Sequence, residues 1–165
     1  MAASGVDMNE SENLNRWPAR LFVLVQGIIL GLLLFTNSNF GWSVRRFSWL
    51  GTATEWIGIA GILASAFTLR RSLTAMPIPK ENGKMALQGL YRYVRHPMYT
   101  SVLLFAFGIA LNHGGFYKYM LVGTLLILFY FKSSYEESFL SEKYPDYSNY
   151  AKVTPRFLPK FGRPR

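Results

Sequence analysis

The sequence predicts an all-α integral membrane protein with four transmembrane helices. Half of its 165 residues are hydrophobic and only 16% are charged. The polar residues are segregated, because long apolar blocks alternate with short, basic, aromatic-rich segments, which is typical of membrane proteins. The chain contains no cysteine, which excludes disulfides and cysteine nucleophiles, and with only His96 and His113 we predict no metal site. Its length indicates a single domain, residues 1–165.

Four apolar blocks are predicted to span the membrane, at about residues 19–36, 49–69, 98–112 and 116–132. Pro18 suits the first turn of the first helix, and the polar residues 1–15 are predicted to be a flexible tail. The third block covers only roughly 20 Å against a bilayer core of about 30 Å, so we expect it to extend into its flanks, lie in thinned bilayer or begin in a protein cavity. The short connection 112–115 predicts a tight antiparallel hairpin.

The distribution of Lys and Arg predicts the orientation. Fifteen of the 18 lie in the N-terminal segment, the loop 70–97 and the tail 132–165, whose part 133–165 we predict to form a C-terminal cap; these segments share one side of a four-span protein. Cytoplasmic loops carry the excess of these residues, so we expect both termini in the cytoplasm. The net charge of +9 then indicates anionic lipid rather than nucleic acid as partner. Glu55 in the second block is interpreted as an acid near the headgroups, with a functional intramembrane carboxylate as the alternative.

The loop 70–97 ends in a run that combines charge, a helix start and aromatic rings: Arg95-His96-Pro97-Met98-Tyr99. Pro97 can open the third helix, which places His96 at or near the N-cap. Backbone N–H groups around Met98 and Tyr99 then carry partial positive charge and suit a carboxylate or phosphate. The pattern predicts an anion-binding corner at the membrane surface; interfacial anchoring by the same residue types is the alternative.

The tail begins with two carboxylates and is rich in tyrosine. Glu136 and Glu137 follow the fourth span without a break, so we place them on the cytoplasmic end of the same helix. They form either a solvated face or partners for the basic loop or a cationic ligand. The tyrosines of the loop and the tail disfavour disorder. We therefore expect the two segments to be ordered and to pack against each other over the helix ends, with an extended run at 154–159.

Several short motifs follow one another in order along the chain. They are Pro-x-Pro-Lys at 77–80, Gly-x-Tyr at 89–91, Arg-His-Pro-x-Tyr at 95–99, Glu-Glu-x-x-Leu at 136–140, Tyr-x-x-Tyr at 144–147 and Pro-Arg-x-x-Pro at 155–159. Together they resemble the isoprenylcysteine carboxyl methyltransferase family and the wider group of phospholipid methyltransferases, in a compact prokaryotic form. The resemblance covers about residues 77–159 and indicates the superfamily, not the substrate.

The resemblance implies an S-adenosylmethionine-dependent methyltransferase with a cytoplasmic-side cofactor pocket formed by the second loop and the tail. The residues it assigns to the cofactor are Lys84, Met85, Ala86, Tyr91, His96, Pro97, Met98, Tyr99 and Glu137. Arg95, His96 and Glu137 are the predicted catalytic residues. Arg95 or His96 suits the carboxylate of the cofactor, and Glu137 suits its amine or ribose hydroxyls. Tyrosine faces can approach the sulfonium by cation–π attraction.

The methyl acceptor is predicted to be a lipophilic molecule that enters from the bilayer. The resemblance implies that it is prenylated. In-line methyl transfer requires alignment, and a carboxylate nucleophile requires no base, which favours O-methylation of the isoprenylcysteine type. N-methylation, as of a phospholipid amine, would require a base, for which Glu136 is the loose candidate.

One departure weakens the match to a prenylated carboxylate. The arginine that the family places one turn before the two glutamates is Ser133 here, with Lys132 beside it but about 100° round the helix. Lys132 and Glu136 are therefore only weak predictions for acceptor contacts. A non-enzymatic membrane scaffold and a reductase that binds a reduced nicotinamide are the other classes left open.

Overall fold

A computed structural model of the protein describes residues 8–36, 48–69, 87–113 and 115–159, and these residues are helical apart from short connections. The helices are α1 (Met8–Phe35), α2 (Ser48–Leu69), a 3-10 helix (Gly89–Arg92), α3 (Pro97–His113), α4 (Phe116–Lys143) and α5 (Tyr147–Val153). The all-α prediction is confirmed for this part of the chain. The predictions for Lys84, Met85 and Ala86 concern residues outside the described ranges.

Two helices are long and apolar enough to cross a membrane. Their apolar windows are Trp17–Phe35 in α1 and Ser48–Leu69 in α2, and only 17% of each window is buried inside the molecule. Large side chains such as Leu24 and Trp56 point outward. Lipid is the solvent that such surfaces require, so the chain is a membrane protein. The crossing by α3 and α4 remains a prediction, although outward-facing side chains such as Phe107 and Ile127 fit it.

The start of α1 differs from the expectation. The helix begins at Met8, so Pro18 lies inside it rather than in its first turn, and residues 8–15 of the expected flexible tail are helical. Proline inside a helix removes one backbone hydrogen bond, here the donor to the carbonyl of Leu14. Water at the polar membrane boundary can bond that carbonyl, because Pro18 lies at the edge of the apolar window. The preference of proline for a first turn was therefore an insufficient signal for the helix start.

Glycines bring α2 and α3 into close contact. A Cβ atom on Gly58 would lie 2.6 Å from the backbone nitrogen of Phe105, and one on Gly108 would lie 2.8 Å from the nitrogen of Glu55. Small residues allow backbones to approach closely in membrane bundles. At the same contact the side-chain amide of Asn112 donates a hydrogen bond of 2.8 Å to the Glu55 carboxylate. Glu55 is thus held at the α2–α3 contact by a partner on α3.

The α3–α4 hairpin and α1 complete the bundle. α3 ends at His113 and α4 begins at Phe116, which confirms the predicted tight hairpin. Ile29, Leu33, Ala106, Leu125 and Phe129, from α1, α3 and α4, form the buried core. Lys118 and Lys132 of α4 also contact α1. Lys118 is fully buried and donates to the Leu33 carbonyl at 2.7 Å. That contact caps the C-terminal end of α1.

Candidate functional site

Backbone hydrogen bonds join the start of α3 to the C-terminal tail. The N–H groups of Arg95 and His96 donate to the carbonyls of Pro155 and Arg156, at 2.8 and 3.1 Å. The tail at this point is not helical, as expected, but bends interrupt the extended run that was predicted at 154–159. This pairing places consecutive side chains of the Arg-His-Pro motif beside consecutive side chains of the Pro-Arg motif, although the two are about 60 residues apart in sequence.

The described part of the second loop also packs on α5. The hydroxyl of Tyr150 donates to the carbonyl of Tyr91 at 2.6 Å, and Nη1 of Arg95 donates to the carbonyl of Ala151 at 3.0 Å. The 3-10 helix that carries Tyr91 begins at Gly89, whose φ of +61° is readily adopted only by glycine. The prediction that loop and tail pack against each other is confirmed for the residues described.

Glu137 is surrounded by three basic side chains. It accepts hydrogen bonds from Nε2 of His96 at 2.9 Å and from Arg156, through Nη2 at 2.6 Å and Nε at 3.2 Å. Nε of Arg95 lies 3.2 Å from the same carboxylate, which is only 13% exposed. Burial alone would raise the pKa of Glu137, but the hydrogen bonds from His96 and Arg156 and the charge of Arg95 lower it to about 2. Glu137 is therefore ionised at any physiological pH.

His96 lies between both carboxylates and is buried. Its Nε2 contacts Glu137, and its Nδ1 lies 3.5 Å from an oxygen of Glu136. Burial alone would lower the pKa of His96, but the hydrogen bonds to Glu136 and Glu137, together with their charges, raise it above its usual 6.5. The imidazolium form, which can donate from both ring nitrogens, is thus favoured.

Tyr99 connects this cluster to the core of the bundle. Its hydroxyl donates to Glu136 at 2.9 Å. Its ring stacks on the His96 ring, with centroids 5.3 Å apart, and on the ring of the core residue Phe129, at 4.7 Å. The tyrosine therefore fixes the position of Glu136 and of the imidazole relative to the membrane helices.

The structure brings together most of the residues that the sequence predicted for the site. Arg95, His96, Tyr99, Glu136 and Glu137 form one cluster, and α4 continues past the two glutamates as expected. Tyr91 and Pro97 are buried next to it and Met98 is half-buried in the first turn of α3. Their contact with a cofactor stays a prediction.

Lys132 and Ser133 do not bond directly to the two carboxylates. Nζ of Lys132 donates to the side chain of Gln26 on α1 at 2.7 Å, and the buried hydroxyl of Ser133 bonds to the carbonyl of Tyr130. Ser133, which occupies the position that the resemblance gives to an arginine, therefore points into the helix bundle.

Three residues of the neighbourhood were missed by the sequence reasoning: Arg156, Tyr147 and Gln26. Arg156 binds Glu137 through two nitrogens, and its guanidinium lies 5.0 Å from the ring centroid of Tyr130. The Pro-Arg motif was recognised, but the sequence around a single arginine in a tail does not indicate which residue it binds. Gln26 had a usable signal, because a single amide within an apolar window is unusual.

Taken together, these observations define a class of protein: a helical membrane protein with a buried, charge-paired site where a helix start meets its C-terminal tail. A sequence profile of the phospholipid methyltransferase family matches residues 27–147. The match covers most of the chain, which therefore belongs to the phospholipid methyltransferase family.

One characterised relative gives a further comparison. The chain is 27% identical over 146 residues to the cobalt-zinc-cadmium resistance protein CzcN of Cupriavidus metallidurans. The match covers 84% of this chain and 62% of that protein, so the chain spans less than two thirds of the length of this relative.

Proposed function

We propose that the protein uses S-adenosylmethionine to methylate a lipophilic acceptor, by carboxyl O-methylation of the isoprenylcysteine type. The observation that carries the proposal is the cluster of Arg95, His96 and Glu137 at the start of α3, in a chain of the phospholipid methyltransferase family. The proposal includes four spans, both termini in the cytoplasm and the plasma membrane of a prokaryote. A soluble cofactor then enters from the cytoplasm and the acceptor from the lipid.

The donor groups of the cluster fit the amino-acid head of the cofactor. The hydroxyl of Tyr147 is buried and has no hydrogen-bond partner among the described residues, and the buried Nε of Arg95 is ion-paired with Glu137 without the geometry of a hydrogen bond. Buried polar groups without partners indicate a site for a polar ligand. Arg95 and the first amides of α3 would hold the cofactor carboxylate. The resemblance gives the ammonium group to Glu137, but that carboxylate is 13% exposed and is already bound by three basic side chains; Glu136, which is 28% exposed, would therefore hold the ammonium group beside it.

The residues of this chain supply position and charge rather than proton transfer. The cofactor supplies a methyl group on a sulfonium, and an acceptor carboxylate is already ionised at neutral pH. Glu137 holds Arg95, His96 and Arg156 in place, and Tyr99 sets the position of the imidazole. Such fixed polar groups align the reacting atoms without reorganisation, which is the main requirement of an in-line displacement.

Methylation of a phospholipid amine is the second candidate, and the family match favours it. That reaction requires a base for the amine, and Glu136 is the accessible carboxylate of the cluster. Glu136 already accepts a hydrogen bond from Tyr99 and would hold the ammonium group of the cofactor, so it is not free to act as the base for an acceptor amine. We therefore place O-methylation first.

The test begins with calorimetric binding of S-adenosylmethionine to the detergent-purified full chain. We expect saturable binding, weakened about tenfold or more by Arg95→Met, since a charge-assisted hydrogen bond is lost. Glu142→Gln, at an exposed glutamate of α4, is the control and should bind like wild type. Reduced nicotinamide, tested in parallel, should not bind.

Transfer of a labelled methyl group is then measured to N-acetyl-S-farnesylcysteine and to phosphatidylethanolamine vesicles. Methylation of the first compound supports the proposal. Methylation of the phospholipid alone would replace it by the second candidate. A folded wild-type protein that binds no S-adenosylmethionine would overturn both.

A further inference from the structure

Lys132 is a buried lysine where an exposed one would be expected. It lies at the cytoplasmic end of the predicted fourth span, a position from which lysines normally extend to the interface and into water. Instead it is only 4% exposed. Its Nζ donates to Oε1 of Gln26 at 2.7 Å and lies 5.2 Å from the ring centroid of Tyr99. Helical side chains lean towards the N-terminus of their helix, which directs Lys132 away from the cytoplasmic end of α4, and its place on the face towards α1 buries it.

No carboxylate of the described residues bonds directly to this ammonium group, although the charge of Glu136 acts on it from farther away. An ammonium has three donors, and Gln26 supplies one neutral acceptor, while Tyr99 supplies an aromatic face. Among the described residues no carboxylate lies within 4.0 Å of Nζ. Buried charges are normally paired, because removing them from water is costly. The ammonium therefore has donor capacity and no directly bonded carboxylate among the described residues, which suits an anionic ligand.

Gln26 adds an independent observation. It lies in the middle of the apolar window Trp17–Phe35 of α1, where burying an amide costs free energy unless the amide is hydrogen-bonded. Its oxygen faces Lys132 across the α1–α4 contact. Two polar groups from two helices thus meet beside Tyr99, the residue whose ring stacks on His96 and whose hydroxyl contacts Glu136.

We infer that Lys132, positioned by Gln26, binds the anionic head group of the acceptor between α1 and α4. This inference rests on the proposed function and specifies its acceptor: a lipid-soluble molecule with a carboxylate, held by Lys132 on the membrane side of Tyr99. Gln26 is a positioning residue that directs the ammonium group. Ser133 has no part in it, because its hydroxyl is buried and bonded to the backbone.

The variants Lys132→Met and Gln26→Leu test the inference, with Lys118→Met as matched control. Lys118 is a second buried lysine of α4, but it caps α1 near the other end of the helix. The probes are N-acetyl-S-farnesylcysteine and its neutral carboxamide, whose binding is measured by competition, together with phosphatidylethanolamine vesicles. Binding of S-adenosylmethionine is measured for every variant as a check of folding and of the cofactor site.

We expect Lys132→Met to raise the KM for the farnesylated carboxylate about tenfold or more, the effect of a lost charge-assisted hydrogen bond. Affinity for S-adenosylmethionine should change less than about twofold, and Lys132→Arg should retain part of the acceptor affinity because it keeps the charge. Wild type should prefer the carboxylate to the carboxamide, and Lys132→Met should not. Gln26→Leu should raise the KM by a smaller factor.

Other outcomes overturn the inference and can be told apart from failure of the proposed function. If wild type binds S-adenosylmethionine and methylates the carboxylate, but Lys132→Met does so with unchanged KM, the acceptor site lies elsewhere. If Lys132→Met raises the KM only for phosphatidylethanolamine, the anion is a lipid phosphate and not a carboxylate. If wild type binds no S-adenosylmethionine, the proposed function itself has failed.

Discussion

Replacing Glu137 by glutamine should destabilise the protein through the loss of one buried charge. The shape and the hydrogen-bonding oxygen are kept, but His96, Arg95 and Arg156 lose their shared counter-ion. The fall of the Glu137 pKa from 4.5 to about 2 corresponds to roughly 3 kcal/mol at neutral pH. We take about 2 kcal/mol as the expected loss, because partial exposure screens the charges.

The same pKa values predict how this loss depends on pH. A carboxylate with a lowered pKa stabilises the fold above pH 4.5, the value of the ordinary group, and the contribution declines as the pH falls towards 2. The difference between wild type and Glu137→Gln should therefore be largest near neutral pH and shrink below pH 4.5. The raised pKa of His96 arises from the same ion pair, so its free energy is not added to that of Glu137.

Thermal unfolding in detergent, followed by circular dichroism at a fixed scan rate, measures this effect. A loss of about 2 kcal/mol should lower the Tm by roughly 4–8 °C in a chain of this size. Glu142→Gln, the exposed control on the same helix, should change stability by less than about 0.5 kcal/mol. If the two variants unfold at the same temperature at neutral pH, the reasoning about the Glu137 charge cluster is refuted.

Three further predictions concern packing, the tail and pH. Gly58→Leu should abolish folding or lower the Tm sharply, because a Cβ atom at this position would collide with the backbone of α3. Gly27→Ala should be tolerated, because the space around Gly27 is open, and size-exclusion chromatography compares the two variants. Arg156→Lys should cost about 1–2 kcal/mol in thermal unfolding, since lysine cannot form the two-nitrogen contact with Glu137; an unchanged Tm would contradict this. Cofactor affinity should be constant below about pH 6.5 and decrease as the pH rises through the elevated pKa of His96, while His96→Gln should bind weakly without that pH dependence.

The membrane helices were predictable because their signal is local. An apolar window of about 20 residues is visible in the sequence itself, and the structure gives such windows in α1 and α2. The α3–α4 hairpin follows from a connection too short for any other path. The start of α1 was not predictable in the same way, since Pro18 indicated a boundary that the helix passes through.

The site residues on the Arg-His-Pro and Glu-Glu motifs were also within reach of the sequence, because residue types with matching chemistry occur in order around two apolar blocks. Their partners were not. The contact of Arg156 with Glu137 depends on the tail returning along residues 95–96, and the contact of Gln26 with Lys132 depends on how α1 packs on α4.

The sequence by itself determined the class of this protein: apolar helices for a bilayer, a basic side, and motifs of the phospholipid methyltransferase family. Only the tertiary structure decided that Glu137 is the shared counter-ion of three basic residues and that Lys132 turns into the bundle rather than towards water. The physical reason is that hydrophobicity and helix formation depend on neighbours in sequence. The partner of a charge depends on which distant segments the packed helices bring within about 3 Å of it.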